Sequence, residues 1–226
     1  ANGSVLVDGS TLTVTPAADY NGDIVVSVSA SDGQASGSGS FTLTVTPVND
    51  APVIGLLDNQ AIDEDSSLTV ELSASDVDGD DLTFSASNGD SEIVVDGTTL
   101  TITPPENYNG SEDVTVTVTD GDLSDSTVFT LTVNPVNDAP TLDDLADAEV
   151  AEDTDFVLEL SGADIDGDEL TFLASVDANG SVLVNDSTLT VTPAQDYNGD
   201  ILVTVTASDG DLTGQTTFTL TVNPVN

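Results

Sequence analysis

Two short clusters hold the chemistry of this chain: Asp76-Val77-Asp78-Gly79-Asp80 and Asp164-Ile165-Asp166-Gly167-Asp168. Alternate residues of an extended segment point the same way, so three carboxylates spaced in this manner can converge their oxygens on one hard cation. An EF-hand loop is the first arrangement to test, and it fails. Gly79 and Gly167 stand fourth in the loop instead of sixth, and the twelfth positions are Ser87 and Ser175 where a bidentate Glu belongs. Alternating apolar residues flank both clusters, so strands must position them. Their recurrence at 164 − 76 = 88 residues argues against two unrelated acidic turns.

The clusters keep phase with a second repeated stretch. Val48-Asn49-Asp50-Ala51-Pro52 returns as Val136-Asn137-Asp138-Ala139-Pro140 and begins again at Val225-Asn226. The period is too long for a helical or leucine-rich solenoid and suits a seven-stranded sandwich. This stretch reads as a joint between copies of one unit, with Pro52 and Pro140 stiffening the exit while Asn49, Asp50, Asn137 and Asp138 place oxygen ligands on it. Residues 48–135 and 136–226 are then complete repeats, and residues 1–47 match only the C-terminal half of one. Residues 1–33 agree with residues 178–210 at 27 of 33 positions, and the middle repeat agrees much less with either, which points to duplication of a two-repeat unit. The three missing strands imply either a cut through a longer array or completion of the half-repeat by strands donated from elsewhere.

The elements are strands throughout. In the middle repeat Leu68, Val70 and Leu72 face one way and Thr69, Glu71 and Ser73 the other. The same alternation runs through Leu82 to Ala86, Ile93 to Val95, Leu100 to Ile102, Val114 to Val118 and Phe129 to Val133, and a segment near Val53 and Ile54 makes seven. The third repeat copies the plan at Phe156 to Leu160, Leu170 to Ala174, Val182 to Val184, Leu189 to Val191, Ile201 to Thr206 and Thr217 to Val222. Gly, Asn, Asp and Pro punctuate the segments, as at Asp96-Gly97 and Asn109-Gly110, where positive φ is cheap. The fold class that follows is all-β, a tandem array of Greek-key β-sandwiches. Tyr20, Tyr108 and Tyr197, at the entry to the sixth strand, read as structural tyrosine corners.

Composition narrows the function. Forty-two acids stand against no Lys, Arg or His, for a formal charge of −42. No salt bridge between side chains is possible, and neighbouring carboxylates repel inside a Debye length of about 8 Å, so the folded state calls for divalent cations. The same charge argues against nucleic acid and against docking on anionic lipid, and no apolar run is long enough for a membrane span. Without His, Cys or Lys the Ser and Thr residues lack their usual bases. A paired-carboxylate glycosidase would want an aromatic-lined cleft, whereas the chain has six Phe, three Tyr and no Trp at repeating positions, so the expectation is no enzyme. Many acids simply coat the surface, Asp58, Asp90, Asp122 and Asp125 among them.

With the joints, the clusters resemble the calcium motifs of cadherin repeats, in particular the bacterial cadherin-like repeats of giant secreted adhesins, whose copies close on a Val-Asn-Asp-Ala-Pro joint. The resemblance covers the whole chain. It implies Ca²⁺ as the bound ion, with Asp76, Asp78, Asp80, Asp164, Asp166 and Asp168 as the Asp-x-Asp motif and its extension. Glu64 and Glu152 take the place of the family's early glutamate, and Asp32, Asp120 and Asp209 that of its late aspartate. Asn49, Asp50, Asn137 and Asp138 form a shortened linker. By the same resemblance, Glu64 joins Asp138, Asp164 and Asp166 as ligands of one joint. The family's Asp-Arg-Glu motif is replaced here by Asp19-Tyr20-Asn21-Gly22-Asp23, Glu106-Asn107-Tyr108-Asn109-Gly110 and Asp196-Tyr197-Asn198-Gly199-Asp200. One to three ions per joint are expected.

The function implied is a calcium-rigidified structural segment of an extracellular adhesin stalk or cell-surface fibre, whose partners are neighbouring repeats of a long chain or identical chains. Two alternatives are a calcium-dependent module recognising glycans or protein, and a filament assembled by strand donation between subunits.

Overall fold

Val, Ile, Leu and Phe alternate with Thr, Ser and Asp along each long segment. In the computed structural model, which describes residues 2–226, these segments are strands, and in the complete repeats the apolar positions form their buried face. The chain divides into two compact units, Ala1–Asn134 and Pro135–Asn226.

The first unit begins with two hairpins. Strand β1 (Gly3–Asp8) pairs antiparallel with β2 (Thr11–Pro16), and β3 (Gly22–Ser31) with β4 (Ser36–Val45). The same unit continues with β5 (Val53–Ile54), β6 (Gln60–Asp63), β7 (Leu68–Glu71), β8 (Ala74–Ser75), β9 (Thr83–Ser87), β10 (Glu92–Asp96), β11 (Thr99–Thr103), β12 (Gly110–Thr119) and β13 (Ser124–Asn134). One sheet runs β6-β13-β12-β9 and the facing one β10-β11-β7. The first strand of the sandwich is interrupted: β5 pairs antiparallel with β8, whereas β6 pairs parallel with β13, Val133 opposite Ile62. Sequence alternation finds β5 and misses β6, because Gln60-Ala61-Ile62-Asp63 offers only two apolar residues.

The second unit repeats this plan in β14 (Thr141–Leu142), β15 (Ala148–Ala151), β16 (Phe156–Glu159), β17 (Gly162–Ala163), β18 (Thr171–Val176), β19 (Gly180–Asn185), β20 (Thr188–Pro193), β21 (Gly199–Ser208) and β22 (Thr213–Asn223). Its sheets are β15-β22-β21-β18 and β16-β20-β19.

Each complete sandwich closes over its own core. Leu100, Ile102, Val114, Val116, Phe129 and Leu131 are buried in the first unit, and Leu189, Val191, Val203, Val205, Phe218 and Leu220 in the second, where Phe156 lies tilted against Phe218 at 5.9 Å. Each such side chain contributes about 1.5–3 kcal/mol on leaving water, which lets so acidic a chain fold without ion pairs.

Two of the three tyrosines fasten the entry to the sixth strand through their hydroxyls. The hydroxyl of Tyr197 donates to the carbonyl of Asp200 at 2.9 Å, and that of Tyr20 to Asp23 at 3.0 Å. Gly199 follows at φ 135°, and a Cβ there would meet the Tyr197 hydroxyl at 2.9 Å, so the Tyr-Asn-Gly order is a packing requirement. Among the described residues, no helix is long and apolar enough to cross a membrane.

Candidate metal centres

The Asp-x-Asp-Gly-Asp clusters fold as turns leaving β8 and β17. Asp76 Oδ1 accepts the backbone N–H groups of Asp78 at 2.8 Å, Gly79 at 2.9 Å and Asp80 at 3.4 Å. Asp164 Oδ1 does the same for Asp166 at 3.0 Å and Asp168 at 3.3 Å. A side-chain oxygen satisfying successive amides stabilises a tight turn, and Gly79 at φ 81° and Gly167 at φ 85° supply its left-handed residue.

The turn is fastened to the joint. Asp78 Oδ2 accepts the N–H of Asp50 at 2.8 Å, and Asp166 Oδ2 the N–H of Asp138 at 2.8 Å. The neighbouring Asn of each joint reaches the late aspartate: Asn49 Nδ2 donates to Asp120 Oδ2 at 2.9 Å, and Asn137 Nδ2 to Asp209 Oδ2 at 2.8 Å. Asn49, Asp50, Asp76, Asp78, Asp80 and Asp120 therefore share one end of the middle repeat, and Asn137, Asp138, Asp164, Asp166 and Asp209 the corresponding end of the third, where Asp168 closes the turn.

Glu64 and Glu152 lie at the opposite ends of their repeats. The N–H of Glu64 donates to the Asn134 carbonyl at 2.9 Å, its Oε2 accepts from Asn109 Nδ2 at 3.4 Å, and the residue is buried. Glu152 donates likewise to Asn223 at 2.8 Å, and its Oε1 accepts the N–H of Val225 at 2.7 Å.

Electrostatics separate the acids at each end. The N–H groups of Leu123 and Asp122 and the amide of Asn49 hold the Asp120 carboxyl below the usual aspartate range, Leu123 contributing most. Leu212, Asn137 and Asp211 do this for Asp209, and Ala35 and Gln34 for Asp32 in the first hairpin pair. Asp80 is pushed the other way, first by partial loss of water and then by the charges of Asp76, Asp78, Asp120 and Asp81. Ligand oxygens of Asp76, Asp78 and Asp80 fall within 4.8 Å of one another with no positive side chain anywhere in the sequence to separate them. Asp76 Oδ2 and Asp164 Oδ2 are sealed from water and have no hydrogen-bond partner. A buried anionic oxygen without a donor is costly and calls for a compensating group; an oxygen set of this kind suits a hard divalent ion such as Ca²⁺.

In the first unit the joint also borders a recess of ≈ 280 Å³, lined by Asp19, Tyr20 and Asn21 of the half-repeat together with Asp50 and Asp78. Asp19 belongs to the segment that replaces the family's Asp-Arg-Glu motif, so that segment does bring an acid to the joint.

One residue departs from the sequence reading and another escaped it. Asp125 is not a bland surface acid: its Oδ2 accepts the N–H of Ile54 at 3.0 Å, tying β13 to β5. Glu112 stands in β12 where β21 has the fully buried Ile201, with its Oε2 sealed and unpartnered and its Oε1 taking a hydrogen bond from Ser91.

Comparison with known proteins agrees with this architecture. Residues 49–134 match a bacterial Ig domain family and residues 136–223 a cadherin-like domain family. These are bacterial cadherin-like repeats. A chitinase A from Pseudoalteromonas piscicida is 34% identical over 179 residues, which is 77% of this chain and 22% of that protein. Among solved structures, the EC1-3 fragment of mouse protocadherin-24 superposes with a TM-score of 0.51 at 15% identity, covering 97% of this chain and 86% of that one; it shows the fold alone. An endo-fucoidan hydrolase of glycoside hydrolase family 107 is 20% identical with a TM-score of 0.36, over all of this chain and 38% of that one. Bacterial Ig and cadherin-like domains are usually extracellular and typically carry no catalytic activity, and cadherin-like domains generally bind calcium.

Proposed function

We propose that this chain is a calcium-rigidified structural segment of a large extracellular protein, serving as an adhesin stalk or the body of a cell-surface fibre, without catalytic activity of its own. The observation that carries the reading is the orphaned oxygen of Asp76, repeated at Asp164. In both repeats the partner oxygen is spent on the turn, leaving a buried acceptor near other carboxylates that a divalent cation would satisfy. At the first joint, Asp19 from the half-repeat, Asp50 from the joint and Asp78 from the next repeat face one recess. An ion held there by ligands from both sides resists flexing, because bending the joint breaks metal–oxygen bonds. Without it the same carboxylates repel.

Calorimetric titration with Ca²⁺ together with small-angle scattering tests this. Saturable binding, a narrow range of shapes in calcium and a broader one in chelator are expected, with the first chelator-dependent proteolytic cuts near residues 47–53. Scattering and cleavage that ignore chelator overturn the reading. The likeness to a chitinase favours a second use of the same mechanics, as a rigid spacer in a secreted polysaccharide-degrading enzyme.

A further inference from the structure

The sequence holds six Asn-Gly dipeptides, and at such a pair the glycine nitrogen can reach the preceding side chain because no Cβ stands in its way. Five of the six glycines are fixed. Gly3, Gly22, Gly110, Gly180 and Gly199 open strands β1, β3, β12, β19 and β21, each in register with a partner strand. Gly22, Gly110 and Gly199 also lie against the hydroxyls of Tyr20, Tyr108 and Tyr197, and Gly3 and Gly180 against the carbonyls of Thr15 and Thr192. Gly89 belongs to no strand. It is exposed in the bend between β9 and β10, with nothing within 4 Å of where a Cβ would stand.

The side chain before it is free as well. Asn2 Nδ2 donates to the Tyr20 hydroxyl and Asn109 Nδ2 to Glu64, whereas Asn88 Nδ2 has no hydrogen-bond partner. We infer that Asn88 is a site of self-modification, at which the chain converts its own asparagine to aspartate or isoaspartate. The Gly89 nitrogen bonds to Asn88 Cγ, the Cγ–Nδ2 bond breaks, and the Gly89 amide proton leaves with the Nδ2 group as ammonia. Water then opens the succinimide ring at one carbonyl or the other, giving a side-chain carboxylate or one displaced into an isoaspartyl linkage. No oxidant, reductant or second protein takes part.

The position turns this chemistry into a change of stability. Ser87 pairs with Thr115, so the continuing register sets Asn88 opposite Val114 and diagonal to Glu112 on the inward face of β12. Glu112 Oε2 is already sealed from water without a partner. A carboxylate formed at position 88 adds a second anion to that face, and the sequence has no Lys, Arg or His to pair with either. The isoaspartyl product also lengthens the backbone by one carbon where β9 hands over to β10. The third repeat carries Val176-Asp177 at the equivalent place, so the two complete repeats age differently and the middle one weakens with time. This inference stands apart from the calcium reading, because it rests on one amide and one bend rather than on carboxylates around an ion.

The test ages the full chain at mildly alkaline pH, which speeds loss of the Gly89 amide proton, and follows it by peptide mapping and by thermal unfolding. Mapping uses a protease that needs no Lys or Arg. The mass change from amide to carboxyl should appear at residue 88, with an isoaspartyl fraction, about tenfold or more faster than at the other five pairs, which must first release a paired strand end. The melting point of the middle repeat should fall by about 4–8 °C or more as residue 88 converts, and a freshly made Asn88→Asp chain should show a loss of that size from the start. Gly89→Ala, whose added methyl meets nothing, should keep both its mass and its melting point through the same treatment. Conversion first at another pair, or an equal fall in the melting point of the aged Gly89→Ala chain, overturns the inference. So does conversion at residue 88 that leaves the melting of the middle repeat unchanged.

Discussion

Asparagine at position 76 separates a metal site from an acidic turn by the sign of its effect. Asp76→Asn keeps Oδ1, the atom that accepts from the amides of Asp78, Gly79 and Asp80, and so preserves the turn. It converts the sealed Oδ2 into an NH₂ group, a donor aimed where a cation would sit, and it removes one charge from a trio whose oxygens lie within 4.8 Å. In chelator the variant should therefore be as stable as the wild type or slightly more so, because the repulsion on Asp80 falls. In calcium the order should reverse. An ion at 100 times its dissociation constant stabilises the native state by about 2.7 kcal/mol, and in a repeat of this size each kcal/mol moves the melting point by about 4–8 °C. The wild type should gain about 10–20 °C per site on adding calcium, and Asp76→Asn should forgo that gain for the middle repeat. Thermal unfolding by circular dichroism, with and without chelator, reads both signs. Asp58→Asn and Asp90→Asn, which change charge equally outside the clusters, should shift the calcium response only slightly. If all three variants respond alike, the cations are a diffuse atmosphere and no built site exists.

Replacing Glu112 by Ile, the residue β21 carries at that position, removes a sealed unpartnered oxygen at the cost of one Ser91 hydrogen bond; the middle repeat should become about 1–3 kcal/mol more stable in chemical denaturation, and a loss of stability would contradict the geometry. The pH dependence in chelator should also divide by residue. Asp120 and Asp209 are depressed in the folded state, so their contribution is complete above the unfolded value of about 3.9 and disappears as pH falls through the lower folded value. Asp80 is raised, so the native state holds its proton more tightly and stability declines as pH rises through that value. Asp120→Asn should accordingly be destabilising at neutral pH, with the gap to wild type narrowing in acid, whereas Asp80→Asn should help most at neutral pH; parallel curves for the two would refute the assignment.

The fold and the gathering of carboxylates at the ends of the repeats were legible because both depend on local pattern. Period-two alternation places the long strands and their buried faces, and a phase-locked recurrence of Asn49-Asp50 with Asp76-x-Asp78 marks residues that turn out to be joined by single hydrogen bonds. What stayed hidden depends on partners distant in sequence. Strand β6 exists because the parallel edge of β13 lies beside it, not because Gln60-Ala61-Ile62-Asp63 favours extension. Asp125 differs in no local respect from Asp122, and only the amide of Ile54, 71 positions away, makes it structural.

Glu112 shows the limit most clearly, because the signal was present and alternation alone could not read it. Gly110-Ser111-Glu112-Asp113 places a polar residue on the inward face of β12, and taken alone this looks like the frayed start of a strand. Aligned through the tyrosine corner, the same position is Ile24 in the half-repeat and Ile201 in the third repeat, so a carboxylate replaces a core residue in one kind of repeat only. Two further changes accompany it, Ser91 for Gly180 and Asn88 for Val176, and the first of these supplies the Glu112 hydrogen bond. Gly180 and Ile201 touch in the third repeat, where a Cβ on Gly180 would meet Ile201 at 3.3 Å, so the substitutions at those two positions fall on one packed pair rather than at scattered sites. A polar seam in the middle repeat penalises exchange of its strands with those of a half-repeat that keeps Ile24 or Ile201 at the same position, at the cost of some stability in the repeat that carries it.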